Sequence, residues 1–362
     1  MRITEVITHR LACPVPRPFR ACRTDWIRER TATIVEVRTD EGLTGWGEGD
    51  GTQARETADS LLIGKSPFDR EEIWDSLTAC GRDIPAACGI EIALWDLAGK
   101  AEGKPVCELL GSTLRDRVSA YASGFFQPQG EDHLRRVAEE ARRCRDRFAA
   151  VKVRIGFGPE QDERIVEAVR NAVGSEARLA VDATQGYDLP AAIEGGNRLA
   201  PYDLLWFEEP LPAEDLDGYR ELRQALPIPV AGAEGRSGLA SFREVVESGA
   251  MDIIQPDIGR AGGFTEGMRI CWLAGANRVH VIPHMFGSVV RLAATLQWLA
   301  AVPEDPRWEL PPVLELDVTG NGLLTGLSPT RFEVEDGFVR IPGRPGLGVE
   351  IDAGALRRFT VP

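Results

Sequence analysis

The chain has 362 residues, of which 43% are hydrophobic and 27% charged, a composition typical of a globular protein with a substantial core. Its net charge of −14, with no basic run to offset it, argues against a nucleic-acid partner. No apolar stretch approaches the roughly 18 residues of a membrane span, and the seven cysteines lack paired spacing, so we expect a cytoplasmic protein with reduced thiols and no membrane partner.

The first third of the chain, residues 1–117, is predicted to be an α+β domain. Residues 3–13 favour a strand that three prolines then stop, residues 31–38 alternate with period two, and residues 43–48 run back after a turn. The segment 17–30 between the first two strands is predicted to be a long loop, of a length that is often a functional lid. Helices are predicted over residues 53–111.

From residue 118 the pattern changes to strand and helix in alternation, and we assign residues 118–325 to a second domain. Successive strands end about every 25 residues, which is the length that one strand, one helix and two short loops require. Eight parallel strands with intervening helices close into a barrel. The predicted strands end near residues 122, 155, 182, 208, 234, 257, 284 and 315. The remainder, residues 326–362, is predicted to form β-hairpins that fold back onto the first domain.

Three of these strand ends carry a carboxylate: Asp182, Glu208 and Glu234. Because the carboxyl ends of parallel strands meet at one mouth of a barrel, the three acids are expected to converge there. Three like charges repel one another unless a cation is present, and an all-oxygen ligand set suits Mg²⁺. Each acid alone could equally be a helix N-cap, but three in register on consecutive strands favour the metal. Glu209 is interpreted as a supporting residue.

Two cations and a histidine face this predicted metal site. Lys152 and Arg154 alternate with apolar residues on the second barrel strand, so both point to one face, the barrel interior. His284 ends the seventh strand, and Asp257 on the neighbouring strand could orient its imidazole and raise its pKa. Glu315 would complete the ring from the eighth strand, although capping is nearly as good an interpretation for it.

Eight short motifs, spread over nearly the whole chain, together resemble the enolase superfamily and specifically its mandelate-racemase-like subgroup. They are GLTGWGE at 42–48, IALWD at 92–96, VDATQGY at 181–187, WFEEP at 206–210, QPD at 255–257, GG at 262–263, PH at 283–284 and PGLG at 345–348. The resemblance implies a modified (β/α) TIM-type barrel of the enolase kind, preceded by an N-terminal capping domain whose loops at residues 17–30 and around 50–55 select the substrate. It also implies a homo-oligomer.

The resemblance also implies roles for the candidate residues. One Mg²⁺ per subunit would bind Asp182, Glu208 and Glu234, and His284 with Asp257 would act as general base or acid. Lys152 would lie near the substrate carboxylate, and Glu315 would donate to the developing enediolate. Members of the family remove the proton α to a carboxylate while the metal carries the resulting charge.

Two departures from the subgroup bear on the reaction. Arg154 stands where a second lysine is usual, and a guanidinium is too weak an acid to serve as a neutral base near pH 7. This argues against a racemase or epimerase, which needs a base on each face, and favours an elimination. Thr184 stands where the family often has asparagine, which changes one contact to a substrate hydroxyl.

The sequence therefore predicts a small-molecule enzyme acting on an acid sugar. The first interpretation is an aldonate or aldarate dehydratase giving a 2-keto-3-deoxy acid. The second is a cycloisomerase that opens a sugar-acid lactone, because residues 121–124 and 155–158 also resemble galactarolactone cycloisomerases. A pseudoenzyme that only binds metal or sugar is the non-catalytic alternative. Substrate contacts are predicted for Arg20, Arg23 and Trp26 in the first lid and for Thr184.

Overall fold

The computed structural model describes residues 1–51, 55–79, 83–111, 113–130, 132–304, 306–308 and 311–361. The core of the second predicted lid, residues 52–54, lies outside these ranges. No described helix combines the length and the apolar character that crossing a bilayer would require. All six described cysteines are free thiols, as predicted.

The N-terminal region is an antiparallel sheet followed by helices. Its sheet has the order β3-β2-β1-β5, in which β5 is a two-residue strand that arrives later in the chain. The strands are β1 (Ile3–Arg20), β2 (Ile27–Thr39), β3 (Thr44–Glu48) and β5 (Gln127–Pro128). The helices are α1 (Arg55–Leu62), α2 (Arg70–Thr78), α3 (Ile84–Glu102) and α4 (Val106–Leu109).

The first strand corrects one prediction. We expected the prolines to end it at Cys13 and to open a loop over residues 17–30, but β1 continues to Arg20 and the loop is short, because pairing resumes between Phe19 and Ile27. The prolines occupy alternate positions, so their missing N–H donors all fall on one side of the strand. A strand tolerates proline where that side needs no partner.

The second region is the predicted barrel of eight parallel strands. The ladders follow the order β11-β10-β9-β8-β7-β6-β4-β12. The two end strands of this curled sheet meet at the mouth, where the backbone N of Met285 donates to Glu315 Oε2 at 3.1 Å. The strands are β4 (Arg117–Gly124), β6 (Ala150–Arg154), β7 (Arg178–Asp182), β8 (Leu204–Glu208), β9 (Val230–Gly232), β10 (Ile253–Ile254), β11 (His280–Val281) and β12 (Leu314–Asp317).

Helices cover the outside of this sheet. The helices are α5 (His133–Cys144), α6 (Pro159–Val173), α7 (Leu189–Leu199), α8 (Leu216–Ala225), α9 (Gly238–Ser248), α10 (Ile258–Ala261), α11 (Gly263–Ala276), α12 (Val289–Ala301) and α13 (Gly322–Thr325). A short 3₁₀ helix spans Ala200–Tyr202.

The lower half of the barrel interior is an apolar layer, to which each barrel strand or its extension contributes one residue. Trp206 and Tyr121 fill most of it in an edge-to-face pair with centroids 5.4 Å apart. The residues of this lower layer are Tyr121, Ala150, Ala180, Trp206, Ala231, Ile253, Ile282 and Val313. Because side chains alternate along a strand, the next inward position lies two residues further on, at the mouth.

The C-terminal segment differs from the predicted hairpins. One strand, β13 (Phe338–Arg340), is present, but it pairs antiparallel with β4 of the barrel. A helix, α14 (Ala353–Phe359), stands where only strands were expected, and it is capped by the side chain of Asp352. The chain then reaches the first region, where Val361 N donates to Arg10 O at 2.8 Å.

Two acids of α3 join the N-terminal region to the barrel and to the C-terminal segment. Glu91 accepts from the backbone N of Phe264 at 2.9 Å and of Thr265 at 3.0 Å, so it caps the start of α11. Asp96 accepts from the backbone N of Trp46 and of Leu347, both at 2.8 Å. These bonds hold the N-terminal region in a defined orientation over the barrel.

Candidate active site

The three predicted ligand residues lie together at the mouth of the barrel. Asp182 and Glu208 end their strands and Glu234 follows β9 by two residues, and one carboxylate oxygen of each lies within 4.8 Å of the others. Asp182 and Glu208 are buried, and Glu234 is partly exposed.

The backbone beside these ligands is strained. Thr184, Gln185, Glu209 and Ala233 follow or precede the three acids and all have positive φ, between 36° and 75°. Side chains other than glycine seldom adopt this conformation, and where they do it is often at a functional site. The strain therefore lies in the turns that aim the three carboxylates inward.

The donor set fits a divalent cation. Glu234 Oε2 is buried and accepts no hydrogen bond from the described residues, although His284 Nε2 lies 3.5 Å from it. A buried carboxylate oxygen without a partner is costly unless a cation is bound. Three carboxylate oxygens at this spacing are the hard ligands that Mg²⁺ prefers.

Lys152 and Arg154 lie directly against the acids. Lys152 is fully buried, and its Nζ contacts Glu208 Oε1 and lies 2.8 Å from Glu315 Oε1. Arg154 Nη1 contacts Asp182 Oδ2. Burial alone would raise the pKa of Glu208, but Lys152 and Arg154 outweigh it and hold that pKa below its ordinary value. Glu208 is therefore ionised and ready to bind a cation.

The histidine and its partner acid form the arrangement predicted for them. His284 Nδ1 lies 2.7 Å from Asp257 Oδ2. Burial alone would raise the pKa of Asp257, but Arg291 and His284 lower it by more than that. The carboxylate is therefore ionised and can only accept hydrogen bonds. The imidazole must therefore carry its proton on Nδ1, which leaves Nε2 facing Glu234 as the atom that can exchange a proton.

The charge of His284 follows from the same neighbours. Burial lowers the pKa of His284, but Glu234, Asp257 and Glu315 together raise it to about 9. A cation bound by Glu234 would cancel part of that negative charge and bring the pKa down, towards the range of a general base at neutral pH.

Glu315 is fully buried, with Lys152 Nζ beside one of its carboxylate oxygens and the backbone N of Met285 beside the other. Burial raises its pKa, but Lys152 and His284 lower it below its ordinary value. An ionised carboxylate only accepts hydrogen bonds, so Glu315 could donate to an oxyanion only after taking up a proton.

The four predicted substrate residues divide into two pairs. Thr184 Oγ1 donates to Asp182 Oδ1 at 3.1 Å, and Arg23 Nη1 donates to Gln185 O at 2.7 Å, so both lie beside the carboxylate cluster. Arg20 stacks on Trp26 at 5.1 Å and bonds Gln127 at 2.6 Å. Among the described residues, Arg20 thus contacts Trp26 and β5 rather than the three acids.

Sequence reasoning missed a cation at the rim. Arg30 of β2 pairs with Asp317 Oδ2 at 3.1 Å, and its guanidinium lies 5.0 Å from the ring of Phe286. Arg154 lies 5.4 Å from the same ring, and that ring stacks on His284 with centroids 5.6 Å apart. Two contacts of Arg30 carried a sequence signal. Phe286 and Asp317 each follow a predicted site residue, His284 and Glu315, by two positions, which predicts the same face of the strand for both members of each pair.

Comparisons with known proteins agree with this geometry. The family description "Mandelate racemase / muconate lactonizing enzyme, N-terminal domain" matches residues 3–111, and "Enolase C-terminal domain-like" matches residues 136–355. D-galactarolactone cycloisomerase of Agrobacterium fabrum is 40% identical over 377 aligned residues, which cover all of both chains.

Two solved structures superpose over the whole chain. The 3,6-anhydro-D-galactonate cycloisomerase of Zobellia galactanivorans has a TM-score of 0.88 at 31% identity and is itself covered completely. The L-talarate/galactarate dehydratase of Salmonella typhimurium, liganded with Mg and L-lyxarohydroxamate, has a TM-score of 0.87 at 29% identity, with 93% of that chain covered.

Proposed function

The chain belongs to the mandelate racemase / muconate lactonizing enzyme family of the enolase superfamily, and from that membership we propose a Mg²⁺-dependent elimination on an acid sugar. The enzyme removes the proton α to a carboxylate and expels the oxygen substituent at the β carbon. The enol that results becomes a 2-keto acid.

The observation that carries this proposal is the position of His284. Its Nδ1 is fixed by Asp257 at 2.7 Å, and its Nε2 lies 3.5 Å from Glu234 Oε2. A proton acceptor is thus fixed beside the residues that would hold the metal. A substrate carboxylate bound among those residues would present its α carbon close to Nε2.

Different residues of the site would bind the metal, stabilise negative charge and remove the proton. Asp182, Glu208 and Glu234 would hold Mg²⁺, which when bound supplies a Lewis acid for the charge that develops on the substrate carboxylate. Lys152 and Arg154 provide fixed positive charge on the same side of the mouth. His284 Nε2 takes the α proton.

Arg154 bears on which elimination is catalysed. A guanidinium stays protonated at neutral pH, so Arg154 serves neither as a second base nor readily as an acid for a departing hydroxide. When a lactone is the substrate, the ring oxygen departs as a carboxylate and needs no proton at that moment. The C–H electrons form the new C=C bond, and the C–O electrons leave with the carboxylate.

We therefore place lactone opening first and dehydration second, the reverse of the order suggested by the sequence. The 40% identity to a galactarolactone cycloisomerase over both full chains supports lactone opening. The fold similarity to a galactarate dehydratase supports the second candidate, in which the imidazolium of His284 would return its proton to the departing hydroxyl.

The decisive test is a panel of aldonates, aldarates and their lactones, assayed with Mg²⁺ for formation of a 2-keto acid. Lactone opening predicts product from a lactone but not from its hydrolysed acid, and dehydration predicts the opposite. His284→Asn should lower turnover about 10²- to 10⁴-fold without weakening Mg²⁺ binding. No 2-keto acid from any member, or full activity in His284→Asn, would refute the proposal. Assembly into a homo-oligomer stays a prediction that sedimentation can test.

A further inference from the structure

Two further groups hold Asp257, in addition to His284. Arg291, in the first turn of α12, is 2% exposed, and its Nη1 lies 3.2 Å from Asp257 Oδ2 and 3.3 Å from Oδ1. Gly259 N donates to Asp257 Oδ1 at 2.7 Å. The carboxylate that fixes the imidazole is thus itself fixed from behind.

The same guanidinium reaches the N-terminal domain. Its Nε lies 3.2 Å from Glu48 Oε1, and its Nη2 lies 2.5 Å from Asp50 Oδ1. Glu48 ends β3 and also accepts from the backbone N of Ser288 at 3.0 Å. One buried cation therefore contacts acids from both domains.

The surrounding backbone is shaped around Arg291. A Cβ at Gly259 would lie 2.6 Å from Arg291 Cζ, and one at Gly287 would lie 2.8 Å from its Cδ. Asp50 N also donates to Gly259 O at 3.1 Å, so the segment that follows β3 in one domain is bonded to α10, which follows the partner acid Asp257 in the other. The charged groups that face Arg291 are therefore Glu48 and Asp50 from the N-terminal domain and Asp257 from the barrel.

We propose that Arg291 is a positioning residue for the Asp257–His284 pair, and that through it Glu48 and Asp50 of the N-terminal domain help to orient the base. The role rests on the proposed function. Without the guanidinium, the carboxylate of Asp257 keeps only the bond from Gly259 N behind it, so it is held less firmly against Nδ1 and keeps a buried charge with less compensation. Loss of a partner behind a catalytic group typically costs about 10- to 100-fold in activity.

The test compares Arg291→Met and Arg291→Lys with a matched control at the other end of the same helix. Arg115 Nη1 donates to the carbonyl of Val302 at 2.8 Å, just after α12 ends. Arg115→Met therefore weakens α12 without touching the Asp257–His284 pair, and it separates a loss of helix stability from a loss of orientation.

Two measurements on folded protein decide the outcome. The first is the proton resonance of His284 Nδ1–H, assigned by its loss in His284→Asn; it needs no substrate, so it decides the proposal even if the enzyme consumes no acid sugar. We expect this resonance in the wild type, in Arg291→Lys and in Arg115→Met. In Arg291→Met it should be lost or moved upfield.

The second measurement is kcat, KM and the primary deuterium isotope effect on kcat. The substrate is D-galactarolactone deuterated α to its free carboxylate, or the panel member that the wild type consumes best. Arg291→Met should lower kcat about 10- to 100-fold at similar KM and enlarge the isotope effect, because proton removal becomes the slow step. Arg291→Lys should recover part of the loss, and Arg115→Met should change neither kcat nor the isotope effect.

An Arg291→Met protein that keeps the resonance and behaves like Arg115→Met would overturn the proposal and leave Arg291 as a structural residue. If Arg291→Met does not fold, Asp50→Asn takes its place, because Asp50 is one-third exposed. It should lower kcat severalfold with a larger isotope effect, and an unchanged kcat and resonance in that variant would equally overturn the proposal.

Discussion

The two halves of the barrel interior are built from the same strands and do opposite work. In the lower half each strand contributes an alanine, an aliphatic residue or an aromatic ring, and two residues further on the same strands contribute Asp182, Glu208, His284 and Glu315. Two residues along each strand therefore separate two different layers. The lower layer stabilises the fold by excluding water, and the layer of buried charges at the mouth destabilises it. The comparison teaches that stability and chemistry are assigned by depth along the inward face of each strand. A register slip of two residues would exchange the two layers, and a slip of one residue would turn both away from the interior.

Trp206 is where the two halves touch. Its ring belongs to the lower layer, but its Nε1 donates to Glu208 Oε2 at 2.8 Å. Gln255 Nε2 donates to the same oxygen at 2.7 Å. The other oxygen of Glu208 faces Lys152, so the lower layer also fixes the orientation of a proposed metal ligand.

The largest effect on stability should come from the lower half. Trp206→Ala should lower the free energy of unfolding by about 3–5 kcal/mol, because it removes the largest side chain of the layer and leaves a cavity. Urea denaturation in the absence of metal measures this. Trp206→Phe should keep most of the packing yet weaken Mg²⁺ binding, because Glu208 loses one donor. A change below about 1 kcal/mol in Trp206→Ala would break the assignment of stability to this layer.

Variants at the mouth should show the reverse pattern, a large loss of activity with little or no loss of stability. Glu234→Gln should lower turnover about 10²- to 10³-fold and weaken Mg²⁺ binding, because a proposed ligand is lost. The melting temperature without metal should stay the same or rise, because one of three mutually repelling charges is gone. Calorimetric titration with Mg²⁺ and thermal unfolding in a chelator measure the two effects.

The matched control for that variant is Glu244→Gln on the helix that follows β9, where Glu244 pairs with Arg236 at the surface. It should leave metal binding and turnover unchanged. If Glu234→Gln binds Mg²⁺ like the wild type, Glu234 is not a ligand and the contrast between the two halves does not extend to the third strand end.

The smallest effect concerns pH and Glu209. Burial and the charge of Glu234 raise the pKa of Glu209 from 4.5 to about 7. The folded protein then binds more protons than the unfolded chain over that interval, so the stability that Glu209 contributes is present below pH 4.5 and is lost as the pH rises to 7. The full loss is about 3 kcal/mol, because each unit of pKa shift corresponds to about 1.4 kcal/mol.

Urea denaturation of the metal-free protein between pH 5 and 6.5 tests this, because His284 contributes little slope below its ordinary pKa of 6.5. Glu209→Gln should flatten the dependence relative to the wild type, and Mg²⁺ should flatten it too by offsetting the charge of Glu234. Equal slopes in wild type and Glu209→Gln would contradict the prediction.

The sequence predicted the barrel because its signals are local. A buried strand ending in an acid, repeated at nearly constant intervals, indicates both the fold and the end of the fold at which the acids meet. Period two likewise placed Lys152 and Arg154 on the inner face, where the structure has both of them buried.

What the sequence did not predict depends on distant partners. Arg291 is separated from Glu48 by 243 positions and lies in an otherwise apolar run, so no local period indicates what it contacts. The charge within that run was the available signal, because an arginine is seldom fully buried unless it is paired. The continuation of β1 through its prolines depended similarly on which side of the strand lacks a neighbour.

The bonds from Glu48 and Asp50 to α10 and to the start of α12 also limit how such an enzyme can be recombined with its relatives. The turn over residues 21–26 can be exchanged between homologues without cutting those bonds. A crossover between β3 and the barrel, in contrast, brings together a Glu48 and an Arg291 from different parents. Lineages that acquire new substrates are therefore expected to vary the first turn while inheriting the end of β3 and the start of α12 as one unit.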